Sequence, residues 1–332
     1  MNSTHYSDFN ATIAEPQQHN NPQLLGWIIS VLVTNILGGV ANVLLLISLF
    51  VYRPLRRSSS WALIVHCIAI DLWMTTVSVP NATIPVYLGP HYPLSRAFCT
   101  YQNLYVYSAY VAGFYAECVL AIHRLVATVL PHHFHLLTKK SAIISIIISP
   151  WIVSVLLNIF AVLGVGMEMV RNVKSGGCST GPTASSSVNS VLFYSVFGVY
   201  FPTGVMGVCY AVVLGKTIRD VRRKANVSRV LARKWEISRT LFLSFAWHCI
   251  TIYPIYVTVG FFERAYAENL ALQLTLRWLT NSFSAINPVF YWTSSRLFQD
   301  GIRKVLYCQW WRKRSNTVRP RGTRSRPQLL IS

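Results

Sequence analysis

Long stretches without charge alternate with short charged connections along this chain. Residues 16 to 52 contain no Asp, Glu, Lys or Arg, and the same holds for 97 to 116, 141 to 167, 175 to 215, 240 to 262 and 278 to 295. Residues 58 to 95 are interrupted only by Asp71. A helix needs about 20 mostly apolar residues to cross a bilayer. The pattern predicts seven such helices, near 24–51, 60–88, 96–130, 141–166, 187–216, 236–262 and 270–294. The apolar runs are continuous rather than alternating every second residue, so they read as helices and not as barrel strands. Pro80, Pro202, Pro254 and Pro288 fall inside them. Each removes a backbone donor and predicts a kink that neighbouring helices must cover. The expected class is an all-α membrane protein, with a tail at 1–23, a bundle at 24–294, an amphipathic helix at 295–310 and a basic tail at 311–332.

Composition sharpens this picture. Of 332 residues, 53% are hydrophobic and 12% charged, against about 25% charged in soluble domains. So few charges exclude an ordinary soluble enzyme and a disordered chain. The net charge of +20 raises nucleic acid as a partner, and its placement removes that reading. The connections after helices one, three and five, the adjoining helix ends and the C-terminal tail hold 24 of the 30 Lys and Arg, with only Asp220, Glu236 and Asp300 among them. The opposite side balances five basic residues against five acids. By the positive-inside rule the basic side is cytoplasmic, the N-terminus is outside and the C-terminus inside. The Arg312-Lys313-Arg314 and Arg319 to Arg326 runs then read as membrane-lipid or partner contacts, with no nucleic acid.

Asn2 and Asn10 head Asn-X-Ser/Thr triplets in the outer tail and are candidate glycosylation sites. Cys67, Cys118, Cys209 and Cys249 fall inside spans and read as packed apolar residues. Cys99 and Cys178 are the two cysteines on the oxidising outer side, so a disulfide between them is expected. Cys308, beyond helix seven, is a free thiol or a palmitoylation site.

Ordered markers now run through every span: Asn42 in Gly39-Val40-Ala41-Asn42-Val43, Asp71 in Ala69-Ile70-Asp71-Leu72, the spacing from Cys99 to Arg124, Trp151, Pro202 with Tyr210, Pro254, and Asn287-Pro288-Val289-Phe290-Tyr291. Phe298 stands at the start of the short amphipathic helix. Over about residues 24 to 310 the chain resembles the rhodopsin-like (class A) G-protein-coupled receptors. The His123-Arg124 pair and the Pro131-His132-His133 run resemble an invertebrate orphan group related to moody and trapped-in-endoderm. Some positions depart from the family pattern. Its Asp-Arg-Tyr reads His123-Arg124-Leu125, its helix-six tryptophan is Ile252, its helix-six phenylalanine is His248, and a helix-three hydroxyl is Gly113.

The resemblance implies a plasma-membrane, multi-pass receptor that binds an extracellular ligand and opens by an outward swing of helix six. Its partners would be a heterotrimeric G protein and arrestin. Arg124, His123, Tyr210, Tyr291, Asn287, Pro288 and Pro254 would form the activation switch. Without an acid before Arg124 the resting lock is weakened, unless His123 only faces lipid headgroups. Asp71 with Asn42, Ser284 and Asn287 matches a sodium-linked cluster. Glu117 is the second acid at membrane depth. Two buried carboxylates raise each other's cost of ionising, so the pair is a sodium or proton site unless Glu117 bonds a backbone carbonyl.

The ligand pocket would draw on Val106, Tyr107, Tyr110, Tyr253, Tyr256, Arg277 and Asn281. Val106 stands where amine receptors carry an Asp, so the ligand is a lipid, an anionic small molecule or a peptide. Arg277 would hold a carboxylate or phosphate, or pair with Glu263 or Glu268. No lysine lies mid-span and Asn281 occupies the retinal position, so no retinal is expected. No cofactor beyond a possible ion, and no metal ligand set, is expected. His66 and His248 stand isolated on apolar helices, which argues against an enzyme. The alternative is a transporter or channel using Asp71 and Glu117 as a proton or cation site, against which the absence of internal repeats counts.

Overall fold

The computed structural model describes residues 22–89, 92–171, 176–182, 190–223 and 229–307. Asn2, Asn10 and Cys308 lie outside the described residues. Seven helices form the bundle: α1 (Pro22–Val51), α2 (Trp61–Leu88), α3 (Ala97–Val129), α4 (Lys140–Leu163), α5 (Leu192–Arg223), α6 (Arg229–Phe261) and α7, built of Leu270–Asn281 and Phe283–Ser294. The helix α8 (Arg296–Leu306) follows. Among the described residues six helices are long and apolar enough to cross a membrane. The seventh is divided at Ser282, whose hydroxyl bonds the Leu279 carbonyl at 2.7 Å, a local competitor for the helix ladder.

The surface confirms the solvent. Leu25, Ile29, Val33, Ile36 and Leu37 of α1, and Ile144, Ile148, Ile152, Val155 and Leu156 of α4, are all exposed. Apolar faces of this extent suit hydrocarbon, not water. The interior is continuous from Leu45 and Leu63 through Ala116 and Leu120 to Met206 and Tyr210. α3 packs against α2, α4 and α5, α1 against α2 and α7, α6 against α5 and α7, and α8 against α1. Cys67, Cys118 and Cys209 are buried free thiols in that interior, and Cys249 is half-buried.

The prolines act through the turn before them. Pro80 cannot donate to the carbonyl four residues back, and α2 widens to a π turn at Met74–Ser78. Pro202 is preceded in the same way by Val196–Tyr200. These bulges accommodate the missing bond without breaking the helix. A third π turn, Asn103–Tyr107 in α3, has no proline, and nothing in the structure explains it. Pro288 is handled differently: the carbonyl it leaves free, that of Ser284, accepts from Asn42 Nδ2 at 3.0 Å. α1 and α7 meet closely enough that a Cβ on Gly38 would overlap the backbone of Ala285.

Three boundaries differ from the sequence expectation. α4 ends at Leu163 rather than 166, because Gly164 takes a left-handed conformation (φ 68°) and stops the helix. α5 runs on to Arg223 and α6 begins by Arg229, so both extend into the charged segment that joins them. The loop after α4 carries a hairpin of β1 (Met167–Arg171) and β2 (Cys178–Pro182), antiparallel with Arg171 opposite Cys178.

Candidate functional site

A column of polar and aromatic groups runs down the bundle axis from the hairpin to the opposite end. The hairpin closes the near end. Cys99, near the start of α3, is bonded to Cys178 at the head of β2, and Met169 of β1 packs on the bridge. The Arg171 guanidinium donates to the carbonyls of Gly89 and Tyr92 beyond α2, and to Gly176 at 3.1 Å. A fork of five donors on three carbonyls ties the hairpin to α2 in a fixed orientation.

Below it lies an aromatic layer. Tyr110 donates to Asn281 Oδ1 at 2.7 Å, which joins α3 to α7. Tyr107 stacks obliquely on Tyr110 at 6.3 Å. Tyr253 and Thr203 share a hydroxyl bond of 2.7 Å between α6 and α5. Tyr200 lies against both Tyr253 and Tyr256. Val106 is buried, and Arg277 is half-buried with Tyr107 in its electrostatic reach. The structure thus brings the pocket residues of α3, α6 and α7 to one level. Glu268 pairs with Arg264, four residues away, at 2.8 Å.

The middle of the column holds the two membrane-depth acids. Asn287 Nδ2 donates to Asp71 Oδ2 at 2.7 Å, and Ser244 Oγ donates to Asn287 Oδ1 at 2.5 Å. Asp71, Gly113, Tyr110, Glu117 and Ser284 line one cavity of about 10 Å³, about the space of a single water. Asn42 belongs to this level through the Ser284 carbonyl rather than through the Ser284 hydroxyl. Glu117 Oε2 faces His248 Nδ1 at 3.6 Å. His248 is therefore not isolated. Phe114 and Phe283 meet its ring edge-on at 4.6 and 5.0 Å, and Ile252 packs beneath Phe114 and Val199. His66 is not isolated either, since Trp151 Nε1 donates to its Nε2 at 3.0 Å.

The end opposite the hairpin carries the proposed switch residues. Tyr210 packs on Phe245 of α6 at 5.8 Å, and Tyr291 on Phe298 of α8 at 5.1 Å; both are buried. Arg124 is half-buried. His123 does not face lipid headgroups: it is 1% exposed, its Nδ1 shares a 2.9 Å bond with the Ser60 hydroxyl, and its ring meets Phe134. α6 is tethered at this end, where Arg239 donates to the Ser294 carbonyl at 2.7 Å and Ser295 reaches Glu236 at 3.4 Å.

Ser244, His248 and Ser60 were missed as site residues by the sequence reading. A signal existed for the first two. Thr240, Ser244, His248 and Thr251 are all buried and recur at three- and four-residue steps, one face of a helix.

Residues 41–291 match the 7 transmembrane receptor (rhodopsin family). The chain is similar to the substance-K receptor of Mesocricetus auratus, 25% identical over 87% of this chain and 77% of that protein. It is similar also to G-protein coupled receptor 183 of Salmo salar (24%, 77% and 73%) and to somatostatin receptor type 4 of Rattus norvegicus (22%, 82% and 70%).

Proposed function

The chain belongs to the rhodopsin family of seven-transmembrane receptors, and from that premise we propose a plasma-membrane receptor with its N-terminus outside and its C-terminus in the cytoplasm. It is a multi-pass membrane receptor and not an enzyme. On our reading it binds an extracellular, non-amine ligand and activates a heterotrimeric G protein when α6 swings outward, with arrestin as a second cytoplasmic partner. The observation that carries the ligand class is the composition of the outer layer. Val106 offers no carboxylate to an amine, whereas Tyr107, Tyr110, Tyr253, Tyr256 and Asn281 with one cation, Arg277, suit an apolar or aromatic ligand bearing an anionic group. Lipids, anionic small molecules and peptides fit that description.

The test is a G-protein dissociation assay with a promiscuous α subunit in cells that display the full chain. The ligand set starts from substance K and somatostatin, for which two relatives are named, and extends to anionic lipids and metabolites. Dissociation that Arg124→Ala abolishes is expected. Ionic current without G protein would overturn the reading.

The switch reading makes its own prediction. With His123 bonded to Ser60, the residue before Arg124 contributes no negative charge to a resting lock. His123→Asp supplies one, and an added ion pair of about 1 kcal/mol shifts a two-state equilibrium about fivefold. Basal signalling is expected to fall by about that factor at equal surface display. His123→Gln, which keeps a partner for Ser60 but adds no charge, separates the charge effect from lost packing. Unchanged basal signalling in His123→Asp would sink the weak lock.

For the buried acids we favour a proton over sodium. Gly113 adds no oxygen to the cavity, and one Asp71 oxygen is already taken by Asn287.

A further inference from the structure

Glu117 of α3 and His248 of α6 oppose each other mid-membrane, Oε2 to Nδ1 3.6 Å, with the imidazole 0% and the carboxylate 13% exposed. Phe114 and Phe283 hold the ring from two sides, so it has no room to turn toward water. Neither ring nitrogen makes a hydrogen bond. A few tenths of an ångström separate the pair from a direct one. The other ionisable groups around Glu117 come from four helices: Cys67 and Asp71 of α2, Tyr210 of α5, Cys249 of α6 and Tyr291 of α7. Among them Asp71 is the one acid of carboxylate strength, and it is engaged by Asn287. Arg124 stands two turns further along α3, with Tyr210 in its reach.

We propose that Glu117 and His248 form one proton-binding site that ties α3 to α6, so that opening of the inner face releases a proton. This rests on the receptor reading and names the ligand of its buried acidic site. Two groups of this kind hold zero, one or two protons, with net charge −1, 0 or +1. Burying an uncompensated charge costs several kcal/mol, so the packed pair holds one proton, shared between oxygen and nitrogen. Movement of α6 carries His248 away and admits water to the carboxylate. Hydrated Glu titrates near about 4.3 and imidazole near about 6.5. Above pH about 6.5 the open form therefore holds no proton where the closed form holds one. The sign follows: raising pH favours opening by up to about tenfold per pH unit, and between about 4.3 and 6.5, where both forms hold one proton, the dependence vanishes. Unfolding releases the same proton, so the stability of the closed bundle falls as pH rises through the same window.

The experiment uses the full chain in phosphatidylcholine nanodiscs between about pH 5 and pH 8.5, a span that brackets the imidazole value. One readout is basal nucleotide exchange on added heterotrimer, taken as a ratio to the Glu117→Gln, His248→Phe double variant in the same buffer so that the pH response of the G protein cancels. The other is thermal melting without G protein. The ratio is expected to stay level up to pH about 6.5 and to climb toward about tenfold per unit above it, and the melting point of the parent chain to fall with pH there more steeply than that of the double variant. Glu117→Gln alone should lose the rise above pH about 6.5. His248→Phe leaves a lone buried carboxylate that still holds its proton when closed, so its ratio should climb from about pH 5 without the level stretch. Asp71→Asn should keep the parent profile. A flat ratio and parallel melting curves overturn the proposal, as does a His248→Phe profile that matches the parent, or a slope that only Asp71→Asn removes. The melting signature of the pair, with no exchange in any protein, upholds the proton site and overturns the receptor reading instead.

Discussion

Replacing Cys99 by serine is expected to remove most of the protein from the cell surface. The bridge to Cys178 spans 79 residues of sequence, and loss of a native disulfide costs about 2–5 kcal/mol. Folded proteins as a class hold roughly 5–15 kcal/mol in total. Local geometry puts this bond at the upper part of that range. Cys178 opens β2, directly opposite Arg171, and Met169 packs on the sulfurs. Once the bridge is gone, the register of the hairpin and the three carbonyl contacts of Arg171 depend on each other alone. Surface labelling and thermal melting check this. The Cys99→Ser, Cys178→Ser double variant should be no worse than either single, because one bond is lost in each case. Normal surface display with an unchanged melting point would contradict the expectation.

The second large effect is expected at Gly38. A Cβ there would overlap the Cα and Cβ of Ala285. Both partners are backbone or backbone-bound, so no rotamer change relieves the clash and α1 must part from α7. Overpacking costs about 1–3 kcal/mol where side chains can yield. Here the separation also draws Asn42 from the Ser284 carbonyl, about one turn further along α1. Leaving that carbonyl unsatisfied adds about 1–3 kcal/mol. Gly38→Leu should therefore fail to give a stable receptor. The neighbouring glycines grade the effect. At Gly39 a Cβ meets the Thr76 methyl at 3.2 Å and the Thr75 hydroxyl at 3.6 Å, both side chains, and at Gly26 it meets nothing within 4 Å. The melting points of the three alanine variants should fall in the order Gly26, Gly39, Gly38. Equal values would show that the α1–α7 contact is slack.

The helices were legible because each needs about 20 uncharged residues, a signal that survives kinks and bulges. Their ends were less so. The uncharged run of α4 continues past the helix end to Met167, and hydropathy alone does not stop the helix short of it; the left-handed Gly164 does. The prolines announced irregularity but not its form, since a π turn at Met74–Ser78 and a borrowed amide at Ser284 answer the same missing donor. In the site, Asp71 and Asn287 were readable from ordered markers. The Glu117–His248 pair was not, because the residues lie far apart in the chain and only closure of the bundle opposes their side chains. His123 illustrates the same limit: nothing local in the sequence points to Ser60 as its partner.

The bond from Asn42 to the Ser284 carbonyl has a consequence for biogenesis. α1 leaves the ribosome first and α7 last. Until the final span arrives, the bilayer holds a polar amide beside a glycine-lined notch on α1 with no counterpart. A chain arrested before α7 therefore presents an unmet hydrogen-bonding group within hydrocarbon, which is costly and recognisable. Completion of synthesis and closure of the bundle become one event, read out at the seam between the oldest and the youngest helix.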